Sequence, residues 1–276
     1  GNFTGIRIMG VFQNNLLAGA AAAASAGGGG FYSHQIEQSC RFDQGSSSYL
    51  SRTPSGAGSS NTTLTISFWF KRGGTSASNM YVISAYSSSS VRNNIFIYPD
   101  DSNTDAEIQS TGNSDNYTVV TDGSFRDFSG WGHLVLRIDT TQSTADNRVR
   151  MYLNGTQLTF GTNTQPSQNA TLRWNTAIAH TIGGYSSGQV LGYDGYFAEF
   201  IMADGQSYAP TQFGESKNGV WIPKDPSGTT FGTNGFHLKF ENASDLGNDS
   251  SGNNNDFTAN NMGADHQVLD SPTFGS

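Results

Sequence analysis

The sequence predicts an all-β protein, a two-sheet antiparallel sandwich with a small-residue segment in front of it. Three observations carry that expectation. From residue 36 onward apolar residues recur with a period of two, the mark of half-buried strands. Gly, Ser, Asn and Asp turns separate these runs, and no long amphipathic helix interrupts them. A chain of 276 residues can also bury a sizeable core, as one large all-β domain or two ordinary ones.

The first element is the stretch LLAGAAAAASAGGGGFY, residues 16–32. Alanine is the best helix former, Asn15 is a natural N-cap and Gly27 a natural stop, so residues 16–26 predict about three helical turns. A secretory signal fits less well, because Asn14 and Asn15 interrupt the apolar middle and no cation follows Met9. An isolated helix that short is marginal in water. A packing partner is therefore expected, either a second copy or a neighbouring protein, with Gly27 to Gly30 as the hinge. Residues 1–35 read as an anchor that docks the chain into a larger assembly.

The strands follow in order. TLTISFWFKR (63–72) puts Ile66, Phe68 and Phe70 on one face and Thr65, Ser67 and Trp69 on the other. WGHLVLRIDTT turns Leu134, Leu136 and Ile138 inward, and NRVRMYLNGTQL does the same with Val149, Met151 and Leu153 before a hairpin at Asn154-Gly155. Further strands are predicted near 38–43, 48–53, 79–86, 93–98, 105–110, 116–121, 178–183, 195–204 and 236–241.

Composition narrows the function classes. Charged residues are only 13% of the chain, and Ser, Thr, Asn and Gly fill the surface, as on extracellular or virion proteins more than cytosolic enzymes. A formal charge of −8 with 14 scattered basic residues argues against nucleic acid as a partner, since phosphate binding needs clustered Lys and Arg. No apolar run reaches the roughly 18 residues of a bilayer span, so no membrane partner is expected. The single cysteine, Cys40, has no internal disulfide partner and reads as a small buried hydrophobe.

In this order, CRFDQGSSSYLSR, TLTISFWFKR, WGHLVLRID, VRMYLNGTQL and IGGYSSGQVLGYDGYFAEFIMAD resemble the laminin-G-like members of the concanavalin A-like lectin/glucanase superfamily, over residues 38–210. The resemblance implies a concanavalin A-like jelly roll over 36–210 with one curved, exposed sheet, and a structural place for His133. GFHLKFENASDLGNDSSGNNNDFTANN is similar to stretches beside such domains in phage structural proteins. Its DSSGNNND phrase resembles one that usually opens laminin-G-like domains. Here it falls near the end, so either the order is permuted or the 211–276 extension returns a strand to pair with the first.

Each candidate site competes with a structural role. Glucanases of this superfamily need carboxylates spaced Glu-x-Asp-x-x-Glu, or one residue more, with retaining chemistry holding two of them about 5 Å apart. None of Glu37, Glu107, Glu199, Glu215 and Glu241 begins that pattern, and Glu199 and Asp204 fall on opposite faces of a straight strand. No GxSxG is present, and the five histidines, His34, His133, His180, His237 and His266, form no close pair in sequence. Calcium, which the superfamily often holds at loop ends, has candidate donors in Asp100, Asp101 and Asp105 and in Asp245, Asp249, Asn253 and Asp256. Asx turns explain the same residues without a metal. For glycan binding, flat rings beside Asn or Asp are wanted. Trp69 and Trp131 fall in core strands and Trp221 reads as an anchor for the returning chain, which leaves Trp174, Asn175, Tyr185, Tyr193 and Asp194 as the expected exposed face.

The function expected from these readings is a non-enzymatic phage virion component, an appendage, fibre or capsid decoration. It would self-associate, hold other virion proteins through residues 1–35 and present a lectin-like domain to cell-surface glycan. A ligand-free decoration protein and a polysaccharide-degrading enzyme are the alternatives.

Overall fold

The computed structural model describes residues 30–73, 79–98, 107–112, 117–122, 130–186 and 192–274. The expected helix over 16–26 and most of its glycine hinge lie outside them. Eighteen strands are present among the described residues: β1 (Ser39–Phe42), β2 (Tyr49–Arg52), β3 (Thr63–Arg72), β4 (Met80–Ser88), β5 (Val91–Tyr98), β6 (Glu107–Gly112), β7 (Tyr117–Thr121), β8 (Gly132–Asp139), β9 (Val149–Leu153), β10 (Thr156–Gln157), β11 (Phe160–Thr164), β12 (Ala179–Ile182), β13 (Gly195–Asp204), β14 (Gly214–Lys217), β15 (Val220–Pro223), β16 (Phe236–Leu238), β17 (Thr258–Asn260) and β18 (Gln267–Val268).

Two sheets of eight strands face each other. The first runs β10-β9-β8-β3-β13-β1-β18 with β16 also on β13, the second runs β11-β7-β6-β5-β4-β12-β2-β17, and β14 and β15 form a separate hairpin. The period-two pattern is realised as read. Ile66, Phe68 and Phe70 join Leu134, Leu136, Ile138, Val149 and Met151 in one core with Ile83, Ile95 and Ile97 of the second sheet. Phe68 stacks on Phe200 at 4.8 Å and Tyr193 on Phe197 at 4.1 Å, so an aromatic slab fills the space between sheets. Burying each such ring contributes about 1.5–3 kcal/mol.

The extension is woven into both sheets. The last strand pairs with the first, Ser39 opposite Val268 and Cys40 opposite Gln267, while β17 pairs with β2 and β16 with β13. The β9–β10 hairpin turns at Asn154-Gly155 with φ of 47° and 78°, the left-handed pair that a two-residue hairpin demands. A Cβ on Gly155 would lie 2.3 Å from the Trp221 ring, so the glycine also seats the β14–β15 hairpin.

Two buried carboxylates tie loops together. Asp204, at the end of β13 and fully buried, accepts backbone N–H bonds from Ser59 (2.6 Å), Ser60 (3.0 Å) and Asn234 (3.0 Å). Asp249 accepts from the N–H of His237 and Ser251 on one oxygen and from the Ser251 hydroxyl and Asn255 N–H on the other, at 2.8–2.9 Å. Arg52 of β2 donates to the Asn234 carbonyl (3.3 Å) and to Asn255, fastening the same loop to the second sheet.

Asp204→Ala removes the acceptor of three backbone donors, of which the Asn234 N–H is buried and those of Ser59 and Ser60 partly so, and the unfolding free energy should fall by about 2–3 kcal/mol in urea titrations. Glu241→Ala, at an exposed position, should stay within about 0.5 kcal/mol.

Stability should also depend on pH through two buried imidazoles. Burial pushes His133 down to about 3, and burial reinforced by the Arg52 charge pushes His180 down to about 4 against its hydrogen bond to the Ile178 carbonyl. The unfolded chain binds these protons near pH 6.5 and the folded chain does not, so their contribution is whole above that value and is lost as pH falls toward 4. Urea unfolding between about pH 7 and about pH 4.5 should show a slope approaching about 1.4 kcal/mol per pH unit for each histidine. His133→Gln should remove one share of it.

Candidate ligand face on the second sheet

Alternation decides what the second sheet shows outward. Ile83 pairs with Ile95 and Ala85 with Asn93, all turned to the core, so their neighbours Ser84, Tyr86, Arg92, Asn94 and Phe96 point the other way. The register shift between Tyr81 and Ile83 keeps Tyr81 opposite Phe96, and the two rings stack at 5.0 Å. Tyr185 arrives from β12 through Gly183, which has φ of 77° and would carry a Cβ 2.2 Å from the Phe42 ring. That turn lays Tyr185 4.6 Å from Tyr81 and 5.0 Å from Tyr86. The Arg92 guanidinium lies 5.3 Å from the Tyr185 centroid and donates to its hydroxyl, a cation–π contact and a hydrogen bond together. Ser84 donates to the Tyr185 carbonyl and shares a 3.1 Å hydrogen bond with Thr181.

Two polar atoms on this face lack partners. Asn94 Oδ1 and Arg92 Nε are buried and make no hydrogen bond, an acceptor and a donor two residues apart on β5. Such groups cost free energy unless something pairs with them. Tyr81, Asn94 and Phe96 are buried beneath this cluster, Tyr86, Arg92 and Tyr185 are half-buried, and Ser87 and Ser88 beyond them are exposed.

The outward side of the first sheet is closed. His133 stacks between Trp69 (4.6 Å) and Trp221 (6.1 Å). Its Nδ1 accepts the Trp221 indole N–H at 3.0 Å, so its Nε2 carries the proton and donates to Ser67 Oγ at 2.8 Å. Glu199 occupies a bulge in β13, where the register against β3 shifts between Ala198 and Ile201 and φ is 46°. The strand is therefore not straight. Glu199 still faces outward, while Phe200 and Met202 belong to the core row that Asp204 continues. Hydrogen bonds from His237 and from His34 (3.4 Å) meet the carboxylate. Burial raises this acid, but those bonds and the imidazole charges outweigh it and hold it down to about 2. Beside it lies a void of about 10 Å³, bordered by Ser67, Trp69 and His133.

Three of the five expected binding residues are corrected by their burial. Trp174, which Asn175 follows, is fully buried in the core, as is Tyr193, whose hydroxyl donates to the Lys71 carbonyl at 3.1 Å. Asn175, 1% exposed with φ of 64°, donates to the Ser60 carbonyl at 2.7 Å and shapes the loop at Asp204. Asp194 is half-buried on another side, where burial and then the Asp43 charge raise its carboxyl against the pull of Arg41. Tyr185 alone joins the aromatic face. Its companions Tyr81, Tyr86, Arg92, Asn94 and Phe96 were missed, although their non-core positions in MYVISAYSSSSVRNNIFIY were a usable signal.

Of the calcium candidates, Asp100, Asp101 and Asp105 lie outside the described residues. In the second loop both Asp249 oxygens are taken by protein donors and Asn253 donates to the carbonyls of Gly232 (2.7 Å) and Gly235 (3.0 Å). Among the described residues no group of three or more His, Cys, Asp and Glu is arranged to hold a metal, and no helix is long and apolar enough to cross a membrane.

Known proteins give the chain its family. No characterised protein matches it in sequence. A native heptameric SAP-like pentraxin from Limulus polyphemus is similar in structure, at 13% identity over 65% of this chain and 82% of that one, with a TM-score of 0.45. The mouse laminin alpha1 LG4-5 pair follows at 12% identity over 68% and 46%, TM-score 0.42, and the Ruminococcus gnavus IT-sialidase CBM40 bound to alpha2,3 sialyllactose at 13% over 50% and 73%, TM-score 0.35. The family profile described as the Concanavalin A-like lectin/glucanases superfamily matches residues 44–205, more than half of the sequence. With its paired antiparallel sheets, the chain belongs to the concanavalin A-like lectin/glucanases superfamily.

Proposed function

We propose that this chain is a non-enzymatic phage virion component, an appendage, fibre or capsid decoration, whose lectin-like domain binds cell-surface glycan through the outward side of the second sheet. The observation that carries the binding role is the Tyr185 cluster, with Arg92 Nε and Asn94 Oδ1 beside it and unpartnered. The half-buried rings of Tyr86 and Tyr185 offer a sugar its apolar contact, and a hydroxyl, which both donates and accepts, pairs with the two orphaned atoms when the Arg92 and Tyr185 side chains part to admit it. The absence of a glucanase carboxylate pattern supports a role without catalysis, and so do the commitments of Glu199 to two histidines and of Asp204 to three backbone donors. The virion role rests on the charge-poor surface, the Ala- and Gly-rich segment before residue 35 and the likeness of residues 235–261 to phage structural proteins. In this reading residues 1–35 hold other virion proteins, and the chain is a homo-oligomer. Calcium at the loop holding Asp100, Asp101 and Asp105 belongs to the same proposal.

One observation favours a ligand-free decoration protein instead. Trp174 and Tyr193 are both spent on the core.

A glycan array probed with the whole protein separates the two readings. The binding role predicts retained glycans, with Tyr185→Ala and Arg92→Ala each weakening capture at least about tenfold at unchanged thermal stability. An array with no hits at high protein concentration counts for the decoration role.

Asn94→Leu tests whether the orphaned acceptor is kept for a ligand. Removing the buried unpartnered acceptor together with the rest of the amide should keep thermal stability within about 1 kcal/mol of the parent while weakening glycan capture at least about tenfold.

A further inference from the structure

Residues 30–36 cross the outward side of the first sheet as an arm with few fastenings. Ile36 at its end is held firmly, its N–H donating to Thr273 Oγ1 at 2.9 Å and its carbonyl accepting from the same hydroxyl at 3.0 Å. Earlier contacts are polar and largely exposed. Ser33 donates to Glu215, Lys217 reaches the Gly30 carbonyl at 3.4 Å, and its ammonium sits 5.7 Å from the Phe31 centroid. Between these outer ties and Ile36, the arm's one link to a buried charge is His34 Nε2, 3.4 Å from Glu199 Oε1.

That link joins unequal partners. The Glu199 side chain is 9% exposed and His237, on its other oxygen, 5%, whereas His34 is 20% exposed and belongs to no strand. Glu199 also sits at φ of 46° in a bulge, a conformation a non-glycine residue holds only where its surroundings enforce it. We propose that His34 is a clasp that closes more tightly when protonated, holding the arm of residues 30–36 against the first sheet.

Charges around the clasp come from every packed element. Glu199 on β13 and Asp225 after β15 are the carboxylates beside it, and the Asp225 carboxyl is lowered, first by its hydrogen bond from Ser227 and in lesser part by His34. Lys224, beside the void, and His237 on β16 are the basic groups facing it, while Asp249 holds the His237 backbone. His133 on β8 contributes no charge, because burial keeps it neutral. Glu215 and Lys217 on the hairpin meet the arm further out. With neutral imidazole the contact to Glu199 is a hydrogen bond, and with imidazolium it becomes an ion pair.

Hydrogen exchange of the full chain, read by mass spectrometry at about pH 5.5 and about pH 8 and corrected for intrinsic exchange rates, tests this. Amides of residues 31–36 should exchange about threefold more slowly at the lower pH, with β3 and β8 unchanged. His34→Gln should erase the difference, and His34→Lys, charged at both values, should give slow exchange at both. An arm whose exchange is independent of pH, or a pH difference that survives in His34→Gln, would overturn the proposal.

Discussion

The fold turns on β13 and on the one extra residue it carries. This ten-residue strand lies along β3 on one side, while on the other its first half takes β1 and its second half takes β16. The bulge at Glu199 falls at the junction of those two halves. Because one residue is inserted there, the strand supplies outward residues at both 198 and 199 and then resumes alternation, so Phe197, Phe200 and Met202 all reach the core. Without it, the core residues either before the bulge or after it would turn away from the space between the sheets.

From this arrangement the two sides of the molecule acquire different characters. The outward side of the first sheet is sealed by the arm, the β14–β15 hairpin and the Trp69–His133–Trp221 stack, with every polar atom of the stack's histidine engaged. On the second sheet the outward side presents tyrosines and an arginine with polar atoms left unmatched. A sandwich fills the interior with one face of each sheet, so the other faces are what the family varies, and in this chain one is spent on internal cover.

Much of the fold was legible because alternation is a local signal. Both ends of TLTISFWFKR and of GYFAEFIMAD coincide with strand ends, and the Asn154-Gly155 turn was readable from two residues. Asn218-Gly219 is the same signal, with φ of 53° and 80°, yet the β14–β15 hairpin passed unread because its SK and VWIP flanks do not alternate. β11 and β17 also went unread, and β18 was foreseen only as a returning strand without a position, since all three are short, polar and held in place by partners distant in sequence. The candidate site fared worse for a physical reason. Trp174 and Tyr193 sit among Gly, Asn and Asp, the surroundings of a surface loop, and only the packing of two sheets shows that these loops fold inward. The meeting of His34 and His237 on Glu199 spans more than two hundred positions and leaves no trace in spacing.

The closure of β1 by β18 has a consequence for the order in which the molecule can be completed during synthesis. β1 and β2 leave the ribosome early, but their sheet neighbours are β13 and β18 for the one and β12 and β17 for the other. Both early strands therefore wait, with unpaired edges, for more than a hundred further residues to be translated. Topology of this kind makes folding slow and exposes nascent chains to mispairing with one another. A protein made in many copies at once would meet that hazard at its worst, and chaperone supply would then set its yield.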